Sequence, residues 1–458
     1  MAGRRIVVVG AGITGLTVAH RLVVDHPHLD VTVLEASTVT GGKLRTTPLA
    51  GIDMDVDEGA DAFLVRVPWA VDLCEELGLA DELVAPSARR ASLWLDGRLR
   101  PIPSPNVLGV PLDPMTVAPG LLPDADLERL AGAGRPDAPL PAGDLSVGRV
   151  IRACVGDMVF ERLVDPLIGG VNAGRADHLS CTTMAPGLLA AARSPDGLLA
   201  SLRHASRATD PAAPAFNAPA GGMGRLVGEL TSRLGDRIRT GVEATGIERA
   251  GEGWVVRTSD GTTAAADAVV VTTPAHVAAA LVSPHAPEAA SVLGGLRHAS
   301  VVVATMAWRR TDLEVPDDQS GFLVGRGEGL LMTACSFAGS KWAHLDDPDH
   351  TILRVSCGRI DDERHDAMHD AGLTAALATD VRTTLGVQAP PVVVRLTRWP
   401  RSLVQFPVGH PELMAEVDSA LAASPGLVVT GAARHGVGIP ACVRSGTEAA
   451  AEVAALIG

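Results

Sequence analysis

The chain has 458 residues, 47% of them hydrophobic and 20% charged, with a formal net charge of −14; this is a globular composition with room for two or three domains, not a disordered one. The acidic balance excludes nonspecific nucleic-acid binding, which needs a basic surface. The six cysteines are dispersed without a C-x-x-C, which points to free thiols in a reducing compartment, and no run of about 18 uncharged apolar residues announces a membrane span.

The chain enters a strand almost at once, over residues 6–9, so no cleaved signal peptide is expected and a cytoplasmic location follows. Ile6, Val7, Val8 and Val9 form an apolar run without a polar break, the pattern of a strand buried on both faces of a parallel sheet. Gly10, Gly12 and Gly15 follow at G-x-G-x-x-G spacing and lead into a helix over 16–24; a second strand over 31–34 ends at Glu35. That order is the fingerprint of a bound adenine dinucleotide. Gly10 permits the tight turn, Gly12 lets backbone N–H groups approach a pyrophosphate, and Gly15 lets the helix pack against the strand. The helix N-terminus favours the anion, and Glu35 can accept hydrogen bonds from a ribose diol.

A second glycine pair, Gly41-Gly42, brings Lys43 and more backbone toward the same ligand. Asp57, Glu58 and Asp61 crowd a turn-rich stretch around Gly59 and Ala60. A helix is expected over 68–77, capped by Gly78, then a hairpin with arms 92–95 and 98–102 about Asp96-Gly97. The Pro- and Leu-rich segment from 101 to 141 opens a region of short helices and loops reaching about 213, with breaks at 132–143 and 206–214. Within it, residues 165–175 read as a glycine-marked helix break whose small residues would let a bulky flat ligand lie close to the backbone.

Gly221-Gly222 turns into a helix over 224–234, followed by a strand over 238–240 and a hairpin of 254–258 with 262–265. An apolar strand over 268–272 returns to the first sheet. Segments 300–308, 321–324, 329–334 and 351–358 suggest a second, largely antiparallel sheet, with a helix over 370–385. A strand over 392–396 leads to Trp399-Pro400, where Trp399 reads equally as the wall of a flat ring or as core. A strand over 427–430, the glycine-rich 431–440 and a helix over 442–456 repeat the opening logic and offer a second helix N-terminus to the same ligand.

His365 and His369, four apart on an expected helix, could pair on a metal, but acidic neighbours mark a solvated face and no third ligand is evident; no metal is assigned. No G-x-S-x-G is present. Redox chemistry therefore falls to the cofactor, and no side chain is assigned as catalytic. Arg66, Arg89 and Arg90 read either as surface arginines or as clamps for substrate carboxylates.

Taken in order, GAGITGL, LEA, GGKLRT, DEGADAFL, PLIGGVNAGRADHLS, MTACSFAGSKW, RWP and TGAARHGVGIPACVRSG resemble the protoporphyrinogen/coproporphyrinogen oxidases of the flavin amine-oxidase-like superfamily, over nearly the whole chain. The resemblance implies an α/β fold: a discontinuous, Rossmann-like FAD-binding domain of p-hydroxybenzoate-hydroxylase type (1–62, 215–290 and 425–458), a mixed α+β substrate domain (63–100 and 291–424) and an α-helical insert (101–214). It implies FAD held by Gly10, Gly12, Ile13, Thr14, Gly15, Glu35, Ala36, Gly42, Lys43 and Val242 at its adenosine side. Gly59, Ala60, Trp399, Gly431, Val437, Gly438 and Ile439 would lie nearer its pyrophosphate, ribityl or flavin parts. It places Gly169, Val171 and Asn172 at a macrocycle and Arg66, Arg89 and Arg90 at its carboxylates. Asn172 stands where relatives often have Tyr, and Arg66 where they often have Lys, a change that keeps charge but alters hydrogen-bond geometry.

The implied partners are coproporphyrinogen III and O2, with transient contact to the next haem-pathway enzyme and at most peripheral membrane contact. The actinobacterium-like bias of the sequence, with only Lys43 and Lys341 as lysines and no tyrosine, favours coproporphyrinogen over protoporphyrinogen. The implied chemistry is hydride transfer from a meso carbon to flavin in three two-electron steps, with O2 reduced to H2O2. Open alternatives are protoporphyrinogen, amine or carotenoid oxidation, and a flavin-free protein of this fold that binds prenylated partners.

Overall fold

The computed structural model describes residues 4–207, 210 and 213–457. Five parallel strands form its central sheet, in the order Ile238–Thr240, Asp30–Glu35, Arg5–Val9, Ala268–Val271, Leu427–Val429. The sheet thus gathers three distant stretches of chain. Successive side chains of a strand face opposite ways, so Ile6 and Val8 enter one core with Leu16, Leu22, Leu230 and Val453. Val7 and Val9 enter another with Val269, Val271, Trp254 and Val282. Burial on both faces is why 6–9 carries no polar residue.

The first core is roofed by the helices Ile13–Asp25, Gly224–Leu234 and Ile439–Ile457. The second is covered by a three-stranded antiparallel sheet, Ala244–Ala250, Gly253–Thr258 and Thr263–Ala266. Its first strand is not legible in the sequence, since most of its side chains are exposed and a bulge at Ala244/Gly246 breaks the alternation.

The second sheet has seven strands, in the order Val393–Val404, His298–Arg309, His350–Cys357, Met332–Phe337, Gln319–Val324, Arg90–Leu95, Arg98–Pro101. All pairs are antiparallel except Gln319–Val324 with Arg90–Leu95. The expected hairpin is present, with Asp96 and Gly97 at φ 54° and 70° as a type I′ turn requires. Two strands differ from the sequence reading by three residues or more at a limit. The strand expected over 392–396 runs through Trp399-Pro400 to Val404, because it lies at the sheet edge and bulges opposite Ala299/Val301, where a proline is tolerated. The strand expected over 329–334 begins at Met332, leaving 329–331 in a loop.

Residues 101–207 are mainly helical around their own core, which includes Val150, Ile151, Leu163, Leu198 and Leu199. The 132–143 segment is a loop, as expected; of 206–214, residues 208, 209, 211 and 212 lie outside the described residues. The break expected over 165–175 is displaced: a π-helix, Phe160–Gly169, carries the chain through Pro166, its wider turn accommodating a residue without an N–H. Among the described residues no helix is long and apolar enough to cross a membrane.

Candidate cofactor cleft and active site

The site is assembled at the carboxyl ends of the parallel strands, where ligands of such sheets bind. Gly10, at φ 104°, closes the first turn, its N–H donating to the Leu34 carbonyl at 2.8 Å. Thr272 Oγ donates to the carbonyls of Val9 and Gly10 at 2.9 and 3.1 Å and ties this turn to the neighbouring strand. A Cβ on Gly15 would fall on the Gly10 carbonyl oxygen, whereas one on Gly12 would meet no atom within 4 Å. The first glycine permits packing; the second leaves a backbone cradle. Ile13 and Thr14 begin the helix whose N-terminus faces that cradle.

Glu35 serves the same turn. Its carboxylate accepts the Ala11 N–H at 2.7 Å and the Ser37 N–H at 2.8 Å, so the acid braces the glycine loop, with Ala36 exposed beside it. Val242 donates its N–H to the Glu35 carbonyl at 2.8 Å and so stands at the mouth of the same end. Gly41 is bridged to Gly12, and a Cβ on Gly42 would lie 3.4 Å from the Gly12 Cα. Lys43 follows, half-buried and without an ion pair among the described residues. Burial lowers its pKa, and the Cys442 thiol partly offsets this. A desolvated, unpaired ammonium beside a backbone cradle suits a pyrophosphate.

The far end of the chain closes on this group. Gly431, at φ 124°, turns beneath Thr272, and Val437, Gly438 and Ile439 lead into the helix Ile439–Ile457. That helix crosses the first one so closely that a Cβ on Gly446 would lie 2.7 Å from the Thr14 carbonyl oxygen. The polar side chains of this loop point elsewhere: Arg434 pairs with Asp418 at 2.5 Å and His435 meets Glu448 at 2.7 Å.

Gly59 packs under the Lys43 carbonyl, a Cβ there being 3.6 Å from the Trp399 ring. Trp399 is half-buried, donates its indole N–H to the Glu58 carbonyl at 2.9 Å and lies under the Arg45 guanidinium at 5.2 Å. Ala60 is exposed beside it. The three acids of this stretch are consumed by structure. Asp57 accepts from the Met223 N–H at 2.9 Å, and burial raises its pKa. For Glu58 burial is outweighed by hydrogen bonds from Thr47 and Arg45, which hold it low. For Asp61 burial is outweighed by Lys341 and Arg354, at 2.8 and 2.9 Å, which hold it well below the carboxylate range. None of the three is free to act as a base.

The sequence reading missed the segment after Ala268–Val271. Thr273 Oγ and His276 Nδ1 are buried without a partner, and His276 meets His298 edge to face at 4.9 Å. Burial first, and then neighbours including Arg401 and Lys43, lower both histidines, His298 to about 4. The signal was faint: two histidines 22 residues apart, joined only when the chain folds.

The residues expected at the substrate are dispersed. Arg66 is exposed, with no ion pair among the described residues, next to exposed Leu64, Val67 and Phe216. Arg89 is exposed at the entry to the strand Arg90–Leu95, and Arg90 pairs with Asp318 at 2.7 Å on the surface. Gly169 is locked in the π-helix, where a Cβ would lie 2.7 Å from Asp165 Oδ1. Asn172 turns its amide back onto the Ile168 carbonyl at 2.7 Å, while Val171 is 68% exposed. His365 and His369 do not share a helix: His365 lies in the turn Arg364–Ala367, and His369 caps Asp370–Leu385 through the Gly372 N–H.

A family model described as flavin containing amine oxidoreductase matches residues 13–454. The coproporphyrinogen III oxidases of Mycobacterium leprae and Mycobacterium tuberculosis are 34% and 35% identical to this chain, over 97% and 99% of it and 96% and 98% of their own lengths. That of Bacillus subtilis is 29% identical over 98% of this chain and 97% of its own. A solved structure assigned as a protoporphyrinogen oxidase, from Exiguobacterium sp. 255-15, superposes with a TM-score of 0.88 at 29% identity over 99% of each chain. A reduced UDP-galactopyranose mutase, 16% identical with a TM-score of 0.75 over 100% of this chain and 95% of its own, shares the fold alone.

Proposed function

The chain belongs to the flavin-containing amine oxidoreductase family and is an oxidase, and from that premise we propose that it oxidises coproporphyrinogen III to coproporphyrin III in the cytoplasm, with FAD as its flavin and O2 as the acceptor. Six electrons and six protons leave the macrocycle, and three O2 are reduced to three H2O2. The reading is carried by one observation: a cofactor cleft built from four distant stretches, in a chain alike over nearly its whole length to oxidases that bear this name.

Bound FAD would supply the two-electron acceptor. Gly10, Gly12, Ile13, Thr14 and Gly15 offer the backbone cradle, and Glu35, Ala36 and Val242 receive the adenosine end. Gly42 and Lys43 meet the pyrophosphate; Gly59, Ala60, Trp399, Gly431, Val437, Gly438 and Ile439 flank the remainder. Arg66 and Arg89 would meet propionates from the surface and Arg90 only by releasing Asp318, while Gly169, Val171 and Asn172 would border the macrocycle. Asp57, Glu58 and Asp61 move no proton, since each is held by backbone donors or cations. The chain's contribution is then position: the ring is held against the cofactor cleft, and aromatisation drives the reaction.

The test is an aerobic fluorescence assay of porphyrin formation, run in parallel on coproporphyrinogen III and protoporphyrinogen IX. Preferential formation of coproporphyrin III, with H2O2 released, is expected. Turnover of protoporphyrinogen alone would assign the sister activity, and a purified protein that takes up no FAD would remove the oxidase reading.

A further inference from the structure

A cavity of about 280 Å³ opens where the loop after Gln319–Val324 meets the turn after His350–Cys357. Its lining includes Arg326, Arg359, Arg364, Asp361, Asp362 and Thr333. Its three arginines are matched in number by Glu328, Asp361 and Asp362, but not all of them are paired. Arg326 is shared by Asp165 at 2.5 Å and Asp361 at 2.8 Å, and Arg364 takes Asp362 at 2.7 Å. Arg359 pairs with no carboxylate among the described residues. Its Nη2 reaches only the Val324 carbonyl, at 2.7 Å, its Nε has no partner, and it is 8% exposed. Burial, and then Arg326 beside it, pull its pKa below that of an ordinary guanidinium, against the opposing pull of Asp165, Asp361 and Asp362. Buried cations are normally matched by an anion, because a desolvated, unpaired charge is costly.

The cavity also adjoins the helical region. The Ile360 N–H donates to the Ala173 carbonyl at 2.8 Å, and Arg326 donates to the Gly174 carbonyl. Ala173 and Gly174 lie two and three positions after the exposed Val171. The unmatched cation therefore lies beside the segment assigned above to the macrocycle.

We infer that this cavity is a carboxylate subsite in which Arg359 receives one propionate of the tetrapyrrole. The inference rests on the function proposed above. It supplies a buried, charge-assisted contact that the exposed Arg66 and the paired Arg90 do not. Asp361 and Asp362 keep Arg326 and Arg364 occupied, so that one cation meets one carboxylate.

The test is Arg359→Met in the FAD-loaded enzyme. Removing a buried charge that has no ion-pair partner is not expected to unfold the chain. The KM for coproporphyrinogen III should rise on the order of ten- to a hundredfold, as for loss of a charged hydrogen bond, with kcat and FAD content retained. Binding followed by porphyrin fluorescence should weaken for coproporphyrin III but not for its uncharged tetramethyl ester. Arg359→Lys, which keeps the charge but not the fork, should give an intermediate KM and serves if the Met variant does not fold. An unchanged KM, or equal weakening for acid and ester, overturns the subsite while the proposed function stands. A wild-type enzyme inert toward coproporphyrinogen III overturns the function and the subsite with it.

Discussion

At the scale of single residues, the acid that ends the second strand is a brace as well as the proposed partner of a ribose. Glu35 was read as a partner for ribose; the structure also makes it the acceptor for the Ala11 and Ser37 N–H groups. Glu35→Ala should therefore weaken FAD binding by more than a lost ribose contact. One charged hydrogen bond contributes about 1.5–3 kcal/mol, and here the glycine loop loses its brace as well. Titration of the apoprotein with FAD, read by flavin fluorescence, measures this; undiminished affinity would show that neither duty matters. The arginines teach the opposite lesson. Arg66, Arg89 and Arg90 are equivalent in the sequence, but Arg90 has Asp318 as a partner from a turn 228 residues away, and no local pattern reveals that pair.

At the scale of elements, two glycines of one motif do different work and should fail differently. Gly12 has ordinary extended backbone, φ −71°, and open space where a side chain would go. Gly12→Ala should leave the melting temperature of the apoprotein nearly unchanged while abolishing tight FAD binding, because the methyl group occupies the cradle. Gly15→Ala would drive a methyl group into the Gly10 carbonyl, and overpacking of this kind costs about 1–3 kcal/mol. A lowered apoprotein melting temperature for Gly15→Ala but not Gly12→Ala is expected; the reverse order would show that the motif's two close approaches are wrongly assigned. Elements with strong local signals came through with accurate limits: Gly224–Leu234 and Asp370–Leu385 match the sequence reading residue for residue. Those shaped by position in a sheet did not. Val393–Val404 extends past Pro400 only because it is an edge strand.

At the scale of the whole molecule, Asp61 fastens the segment beside the cofactor cleft to the seven-stranded sheet through Lys341 and Arg354. Its folded pKa lies below its unfolded value of about 3.9, so the pair stabilises the fold above that pH, and the stabilisation is lost as pH falls through the folded pKa. Asp61→Asn strands two partly buried cations and should cost about 3–5 kcal/mol at neutral pH. The gap in melting temperature between wild type and variant should narrow only below about pH 4. A gap that is constant across pH would show that the carboxylate charge carries no stability.

The sequence by itself determined the α/β class, the dinucleotide turn, the return of strand 268–272 to the first sheet, the strand–turn–helix over 427–456 and the antiparallel character of the second sheet. Each of these rests on local periodicity or on a glycine at a forced turn, and such signals survive without knowledge of neighbours. Only the tertiary structure decided that the packed acids at 57–61 are structural, that Asn172 bonds to its own helix, that His276 meets His298, and that Arg359 forms no ion pair among the described residues. The reason is physical. The state and availability of a charged or polar side chain depend on what folding brings within hydrogen-bonding reach and on how much water it removes, and Lys341, which holds Asp61, lies 280 positions from it in the chain.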